Sequence, residues 1–598
     1  MTNHSKKLSE LRDTMKVKGI GCFIIPSNDE FMNEYVPGYA RRLEFLTGFT
    51  GSAGMAVVTQ EKAAFFTDGR YTLQATQQLP EGEYEIFNTS DVKPINWIKQ
   101  NLPESQTLGI NPMLFSKDSI SRYQSVLPVN LCEDLIDKIW HDKPQKPVSE
   151  IKLHSLAHTG KTHIDKINDI TKIINERGAD ALLITAPDSI CWLLNIRGND
   201  VPNTPLVLAR LFLESDCSGV LFVDAGSFPL PEGEESYHSI KIKPLNELNK
   251  FLQDISGKKI LLDKNNAPYS FYNELKEKNN IIEIPDPCTL PKACKNNVEV
   301  NGAYDAHVRD AIAVTSFLYW LEENYKKYNV TEVFIDEKLL EFRQKDPTFV
   351  EPSFDTIAGF ASNGAIVHYR ASGASSKKIE GNNLLLLDSG GQYLSGTTDI
   401  TRTVAIGTPS REQKHNFTLV LKGHIAIATA IFPEGTSGHQ IDILARQYLW
   451  QYGLDYDHGT GHGVGSFLGV HEGPQRISKA PNEVALMPGM IISNEPGYYK
   501  NGEYGIRIEN LVVVEPAIID NNDNKRKFFQ FSTLTCVPFD PQLIDFTILD
   551  KKEKTWLLDY HKSINNKIST KLDIKAKAWL KTILLIYEVE ASNMPAEA

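Results

Sequence analysis

The stretch Asp388-Ser-Gly-Gly-Gln-Tyr-Leu-Ser-Gly-Thr-Thr-Asp399 places two carboxylates on either side of a Gly-rich centre. The apolar run Leu384-Leu-Leu-Leu387 precedes it, and Ile400-Thr-Arg-Thr-Val-Ala-Ile406 follows with alternating character. Strand, turn and strand is the reading. A hairpin centred on Tyr393-Leu394 would bring Asp388 and Asp399 near each other. Two carboxylates ending a buried strand repel and resist burial, so a divalent cation between them is one solution. A pair of solvated turn aspartates is the other. Downstream lie His458-Gly-Thr-Gly-His462-Gly-Val-Gly465, Val470-His471-Glu-Gly-Pro474, Asn494-Glu495-Pro-Gly-Tyr498 and Gly505-Ile-Arg507-Ile-Glu509-Asn510. Four carboxylates carry the charge that two divalent cations would balance, the stoichiometry of a co-catalytic hydrolase site. With one histidine added the set is hard and oxygen-rich, which favours Mn2+ over a thiolate zinc site. Ions so held would lower the pKa of a shared water from about 15.7 toward about 7, fit to attack an amide carbonyl.

Other residues leave alternatives open. His458 and His462 could bind zinc from one helix face, but glycines at 459, 461, 463 and 465 argue against a helix. The same glycines partly mimic a phosphate loop, yet no Gly-x-Gly-x-x-Gly opens a helix here, which disfavours nucleotide binding. His368 closes the segment Asn363-Gly-Ala-Ile-Val-His368 at an expected strand end, where a lone histidine is usually structural. Arg507 and Glu509 alternate on one expected strand and so share a face. A cation there would hold neighbouring carboxylates ionised; a surface salt bridge is the alternative.

These residues must be positioned by a chain of 598 residues, too long for one core. Apolar residues at 41% and charged ones at 23% describe an ordinary globular protein. A net charge of -12 disfavours non-specific nucleic-acid binding, which needs a basic face. Seven scattered cysteines without a CxxC read as reduced thiols of a cytoplasmic protein. The N-terminal residues show no apolar signal core, and no apolar run is long enough for a membrane span. Two Pro-rich breaks, His141 to Val148 and Ile284 to Pro291, divide the chain into regions 1–146, 147–295 and 296–598. The first two regions share a pattern. Leu8 to Lys18 and Ile164 to Glu176 have helical spacing, Gly19 and Gly178 end them, and Cys22 to Ile25 and Ala181 to Ile184 follow as strands. Trp192-Leu-Leu-Asn-Ile-Arg-Gly198 echoes Phe45-Leu-Thr-Gly-Phe-Thr-Gly51, which suggests a duplication. In the third region Val298 to Tyr325 predicts a long helix, and residues after about 540 a helical extension containing Trp556-Leu-Leu-Asp-Tyr560.

The ordered set of Asp388, Asp399, His462, Glu495 and Glu509 resembles the metallopeptidases of the pita-bread fold. Leu46-Thr-Gly-Phe-Thr-Gly-Ser-Ala-Gly54, Thr67-Asp-Gly-Arg-Tyr71, Trp192 to Gly198 and Pro538-Phe-Asp-Pro541 are similar to the long, three-domain aminopeptidases P. The resemblance implies two creatinase-type α/β domains followed by an α+β pita-bread catalytic domain. It implies two divalent metals, here Mn2+, on those five residues. It places His458 beside the substrate pocket and His368 and His471 on the substrate, where an imidazole can donate to the oxyanion. Glu495 would also carry the proton to the leaving nitrogen, and Arg507 would complete the substrate-binding set. The implied reaction releases an N-terminal residue that precedes proline, in a homodimer. A prolidase acting on Xaa-Pro dipeptides is the nearest alternative, but prolidases usually carry one N-terminal domain. A metal-free binding protein on the same fold, or a creatinase, is disfavoured because all five ligand positions are filled.

Overall fold

Helix, glycine, strand is the local unit that opens each half of the N-terminal part of the chain. The computed structural model describes residues 3–224, 237, 239–519 and 526–592. It divides into two compact units, Met1–Thr289 and Leu290–Ala598. Helix α1 (Asn3–Val17) buries Leu8, Leu11 and Met15 on one stripe, and Gly19 at φ +66° ends it in the left-handed region that glycine favours. The strand β1 (Cys22–Pro26) follows, then the short helix α2 (Arg42–Thr47). The remaining strands are β2 (Met55–Thr59), β3 (Ala63–Thr67), β4 (Glu85–Asn88), β5 (Leu108–Ile110) and β6 (Val129–Leu131). They form one sheet in the order β4-β3-β2-β1-β5-β6.

The pattern then starts again. Helix α3 (His163–Glu176) is capped by the Thr162 hydroxyl, buries Ile167, Ile170 and Ile174, and is closed by Gly178 at φ +60°. Next come β7 (Ala181–Ile184), α4 (Pro187–Leu193), β8 (Ala209–Glu214), β9 (Gly219–Val223), β10 (Ile240–Lys243), β11 (Lys259–Leu262) and β12 (Asn280–Glu283). Their order is β10-β9-β8-β7-β11-β12, the order of the first sheet. Strand directions agree as well: the two pairings from the first strand through the second to the third are antiparallel, the other three parallel. The duplication therefore extends over whole sheets, beyond the two segments whose sequences echo each other.

The second unit carries the chemistry. Its long helix α5 (Asn297–Asn324) starts from a capping box between Asn296 and Glu299 and buries Ala303, Ala311 and Phe317. After α6 (Glu332–Arg343), strands β13 (Ile357–Phe360), β14 (Asn383–Ser389) and β15 (Ile400–Ile406) form a small antiparallel sheet centred on β14. A six-stranded antiparallel sheet follows. In chain order its strands are β16 (Ile431–Pro433), β17 (Gly461–Gly463), β18 (Glu472–Ile477), β19 (Ile491–Asn494), β22 (Asn510–Ala517) and β23 (Phe528–Thr533). Between β19 and β22 a separate hairpin, β20 (Gly497–Lys500) and β21 (Tyr504–Arg507), stands apart. Helices α7 (Arg411–Ala428), α8 (Gly438–Trp450), α9 (Lys551–Ile568) and α10 (Ile574–Ser592) complete the unit. Its core joins Phe317, Leu385, Leu387, Val420, Leu557 and Ile564. Among the described residues no helix is long and apolar enough to cross a membrane.

Three local expectations are corrected. The β14–β15 register pairs Asp388 with Thr401 and Ser389 with Ile400, so the hairpin centre lies one residue later than the midpoint of the two aspartates. The cause is an inner turn that pairs Gln392 with Thr397 and Tyr393 with Gly396 around Leu394-Ser395. His368 ends no strand; it sits in a turn after the 3-10 helix Ala361–Ala365. Arg507 and Glu509 do not share one strand, because β21 stops at Arg507 and β22 begins at Asn510.

Candidate active site

The two-residue joint between β21 and β22 gives Glu509 its place. Its backbone N–H donates to Thr401 O at 3.2 Å and its Oε2 accepts from Thr401 Oγ1 at 2.8 Å, so β15 aims the carboxylate. Asp399, His462 and Glu509 each offer one ligand atom, all within 4.8 Å of one another. His462 Nε2 lies 3.4 Å from Asp399 Oδ2 and 3.4 Å from Glu495 Oε1. Its Nδ1 stands 2.9 Å from Gly463 O. A carbonyl only accepts, so Nδ1 carries a hydrogen and Nε2 is the atom left to bind a metal. Glu495 follows β19, and its Oε1 accepts from Ser493 Oγ at 2.9 Å. Asp388 Oδ2 accepts from Arg507 Nη2 at 2.6 Å.

Three buried oxygens, Asp388 Oδ1, Asp399 Oδ1 and Glu509 Oε1, have no hydrogen-bond partner among the described residues. Unpaired buried carboxylate oxygens cost several kcal/mol unless a cation meets them. The donor set of four carboxylates and one imidazole thus fits two hard divalent ions. Burial pushes the Asp388 carboxyl up to about 7, with Arg507 restraining the rise and the Asp399 and Glu495 charges adding to it. Burial, then the charges of Asp399, Glu495 and Asp388, raise Glu509 well above the usual carboxylate range, against the pull of Arg507. For His462 burial opposes the charge, but the hydrogen bond of Asp399 and the charge of Glu495 outweigh it and lift the imidazole to about 9. Protons held this tightly by crowded acids are what a bound cation would displace.

Arg507 is 1% exposed, so the surface salt bridge is excluded. Beyond Asp388 it donates through Nη1 to Tyr499 Oη at 2.6 Å, and its Nη1 lies 3.3 Å from Val367 O. The second contact ties down the turn that carries His368. The Tyr499 hydroxyl lies 2.9 Å from His458 Nε2. His458 Nδ1 is 2.8 Å from Gly459 O, so Nε2 accepts and Tyr499 donates. Asp388, Arg507, Tyr499 and His458 are thereby one hydrogen-bonded chain. Its His458 end reaches to 4.0 Å from Glu495 Oε2. The His471 ring meets the His462 ring edge-to-face at 4.3 Å. Next to it, Glu472 is gripped by two buried ammonium groups, those of Lys292 at 2.9 Å and of Lys295.

The residues expected from sequence are thus linked to the site by these contacts, with His368 carried on the turn that Arg507 ties down through Val367 O. Sequence reasoning missed Tyr499, Thr401, Ser493 and the two lysines. Only Tyr499 carried a signal, since it directly follows Asn494-Glu495-Pro-Gly-Tyr498.

Comparison with known proteins follows the same lines. Residues 303–516 match metallopeptidase family M24, and residues 527–583 the C-terminal region of the M24 peptidases. Residues 7–139 and 142–299 each match the creatinase/prolidase N-terminal domain, one for each duplicated sheet. Aminopeptidase P2 of Arabidopsis thaliana is 38% identical, covering 95% of this chain and 86% of its own. Xaa-Pro aminopeptidase 1 of Dictyostelium discoideum is 38% identical, covering 96% of each chain. A solved X-prolyl aminopeptidase of Caenorhabditis elegans, described as a cytosolic enzyme with a di-nuclear active site, matches with a TM-score of 0.93 and 30% identity. It covers 98% of this chain and 100% of its own. A prolidase of Thermococcus sibiricus, 24% identical with a TM-score of 0.50, shares the fold over only 63% of this chain.

Proposed function

The chain belongs to the Xaa-Pro aminopeptidases of the M24 metallopeptidases, and we propose that it releases the N-terminal residue from peptides with proline in second position. The observation that carries the reading is the convergence of Asp399, His462 and Glu509, one ligand atom of each within 4.8 Å of the others, where buried carboxylate oxygens have no hydrogen-bond partner among the described residues. Asp388, Asp399, His462, Glu495 and Glu509 would hold two divalent ions, Mn2+ by the hardness of the donor set. Held there, such ions would supply polarisation of the scissile carbonyl and a more acidic attacking water. The rest falls to the chain itself. Arg507 restrains the rise of the Asp388 pKa and so favours its ionised form. Glu495 carries a proton from water to the leaving nitrogen. His368 and His471 donate to the oxyanion, and with His458 they wall the proline ring. The peptide's free N-terminus meets the carboxylates, which restricts cleavage to the first bond. The regions 1–146, 147–295 and 296–598 serve as domains, with a C-terminal extension from about residue 540. A second creatinase-type sheet favours this activity over prolidase. The cytosolic setting of the Caenorhabditis elegans relative and seven cysteines that form no disulfide among the described residues support a cytoplasmic protein. Assembly as a homodimer is part of the proposal, and light scattering at micromolar concentration tests it.

An Xaa-Pro amide has no N–H, because the ring nitrogen is tertiary. A site for this bond needs no acceptor for that proton. Assayed with Mn2+, Xaa-Pro-Yaa should be cut after Xaa, Xaa-Ala-Yaa should be poor, and N-acetylation should abolish cleavage. Mass spectrometry of the products checks this; an internal fragment, or equal rates on the proline and alanine peptides, contradicts it.

The histidines separate from the ligands by a second measurement. His368→Ala and His471→Ala should each keep their metal and lose about 10²–10³ in kcat, the usual cost of one oxyanion donor. Metal lost in step with activity would make them ligands instead.

A further inference from the structure

Two motifs remain outside the mechanism: Pro538-Phe-Asp-Pro541, and Trp556-Leu-Leu-Asp-Tyr560 on α9. Both meet at Arg402. This side chain is 3% exposed, on the strand β15 that also aims Glu509. Its Nε donates to Pro538 O at 3.1 Å. Nη1 donates to Thr401 O at 2.9 Å and to Glu509 O at 2.6 Å. Nη2 faces Asn510 Oδ1 at 2.8 Å, Val537 O at 2.8 Å and the Tyr560 hydroxyl at 2.9 Å. None of these acceptors is a carboxylate. A buried guanidinium whose hydrogen-bond acceptors are all neutral depends on them to make up for lost water. The Tyr560 hydroxyl accepts from Arg402 and donates to Val537 O at 2.8 Å, which locks cation and loop together. Phe539 lies under the guanidinium at 4.5 Å and stacks on Tyr560 at 4.9 Å.

The consequence runs to Glu509. Thr401 holds its N–H and its Oε2, and Arg402 holds its carbonyl. The direction of its remaining oxygen is therefore set by β15, and Arg402 is fixed in turn by α9. We propose that the C-terminal helical segment is a working part of the site: Tyr560, by sharing Nη2 of Arg402 with Asn510 and Val537 and donating on to Val537 O, is a positioning residue for Glu509. The inference rests on reading Glu509 as a metal ligand.

Tyr560→Phe removes only the hydroxyl. Partners that orient a metal ligand are typically worth about 10- to 100-fold in metal affinity or activity. Y560F is expected to bind Mn2+ about tenfold more weakly, measured by competition with a chelating dye. Its kcat should fall at limiting Mn2+ and recover with excess Mn2+, and KM for an Xaa-Pro-Yaa peptide should be unchanged. Leu557→Ala loosens the same helix without touching Arg402. It should lower the melting temperature and weaken Mn2+ binding less than Y560F does. Wild-type Mn2+ affinity in Y560F, or equal weakening in L557A, overturns the inference. If Y560F does not fold, Arg402→Lys takes its place, with the same weakened Mn2+ binding expected and wild-type affinity overturning the idea. Glu509→Gln is measured alongside. Unchanged Mn2+ binding there removes the ligand reading itself, whereas weakened binding in E509Q with none in Y560F overturns this inference alone.

Discussion

Asp399→Ala and Glu509→Ala are each expected to lose at least about 10³-fold in kcat while the protein stays folded, since a bound cation supplies several kcal/mol of transition-state stabilisation and about 1.4 kcal/mol is tenfold in rate. Asp399 and Glu509 are two of the three residues whose ligand atoms already converge, and each presents an oxygen with no other partner among the described residues. Neither belongs to the apolar core that holds the unit together. The variants should also part from ordinary core mutations in one respect. Without metal, the wild-type protein confines mutually repelling carboxylates, and Glu509 feels Asp399, Glu495 and Asp388 together. Held well above the carboxylate range, Glu509 must take up a proton to fold without metal, and Glu509→Gln removes that cost at nearly constant shape. In chelator its melting temperature should therefore rise above that of the wild type, although it is nearly inactive. Turnover with Mn2+, bound metal by elemental analysis, and thermal unfolding in chelator read the three quantities. Full activity of the wild type after exhaustive chelation would refute the assignment, and so would a chelated E509Q less stable than the chelated wild type.

The types and order of the ligands are legible in the sequence because each sits in a short motif with its own local signal. The run of four leucines before Asp388 marks a strand, the glycines around His462 exclude a helix, and Gly19 and Gly178 mark two helix ends. The partners that aim the ligands are not legible. Thr401 and Glu509 are 108 residues apart, and Asp388 and Arg507 are 119 apart. No periodicity within a window of a helix or strand reports on a hydrogen bond at such separations. The same reason hides Tyr560, 158 residues from Arg402. The register of the β14–β15 hairpin departs from expectation because the two aspartates do not define its centre. The chain takes its centre from the tight turn at Leu394-Ser395, whose geometry depends on the pairs that close it.

The metal-free protein should lose stability as pH rises, and Mn2+ should restore it most at high pH. Asp388 has a folded pKa of about 7 against an ordinary value of 3.8, and Glu509 too is held well above the usual carboxylate range. An acid whose folded pKa is raised keeps its proton in the folded state where the unfolded chain has released it. The folded state then binds more protons, so stability falls with rising pH. For Asp388 the loss begins near the unfolded value, about 4, and is complete above about 7; Glu509 adds a decline of the same sign. His462 is a base, yet it acts in the same direction. Its folded pKa, about 9, is above the usual 6.5, so its ion pairs contribute fully below about 6.5 and are lost as pH rises through about 9. A divalent cation takes over the role of the protons, since it binds the deprotonated carboxylates and the free Nε2 of His462. At a thousandfold excess over Kd it would add about 4 kcal/mol, a shift of roughly 5–10 °C for a domain of this size. Scanning calorimetry with and without Mn2+ at pH 5 and pH 8 provides the comparison. The Mn2+-induced rise in melting temperature should be small at pH 5, where protons compete at Asp388, Glu509 and His462, and several degrees at pH 8. An equal rise at both values, or a chelated protein that gains stability between pH 5 and pH 8, would show that these carboxylates do not share one cation-binding site.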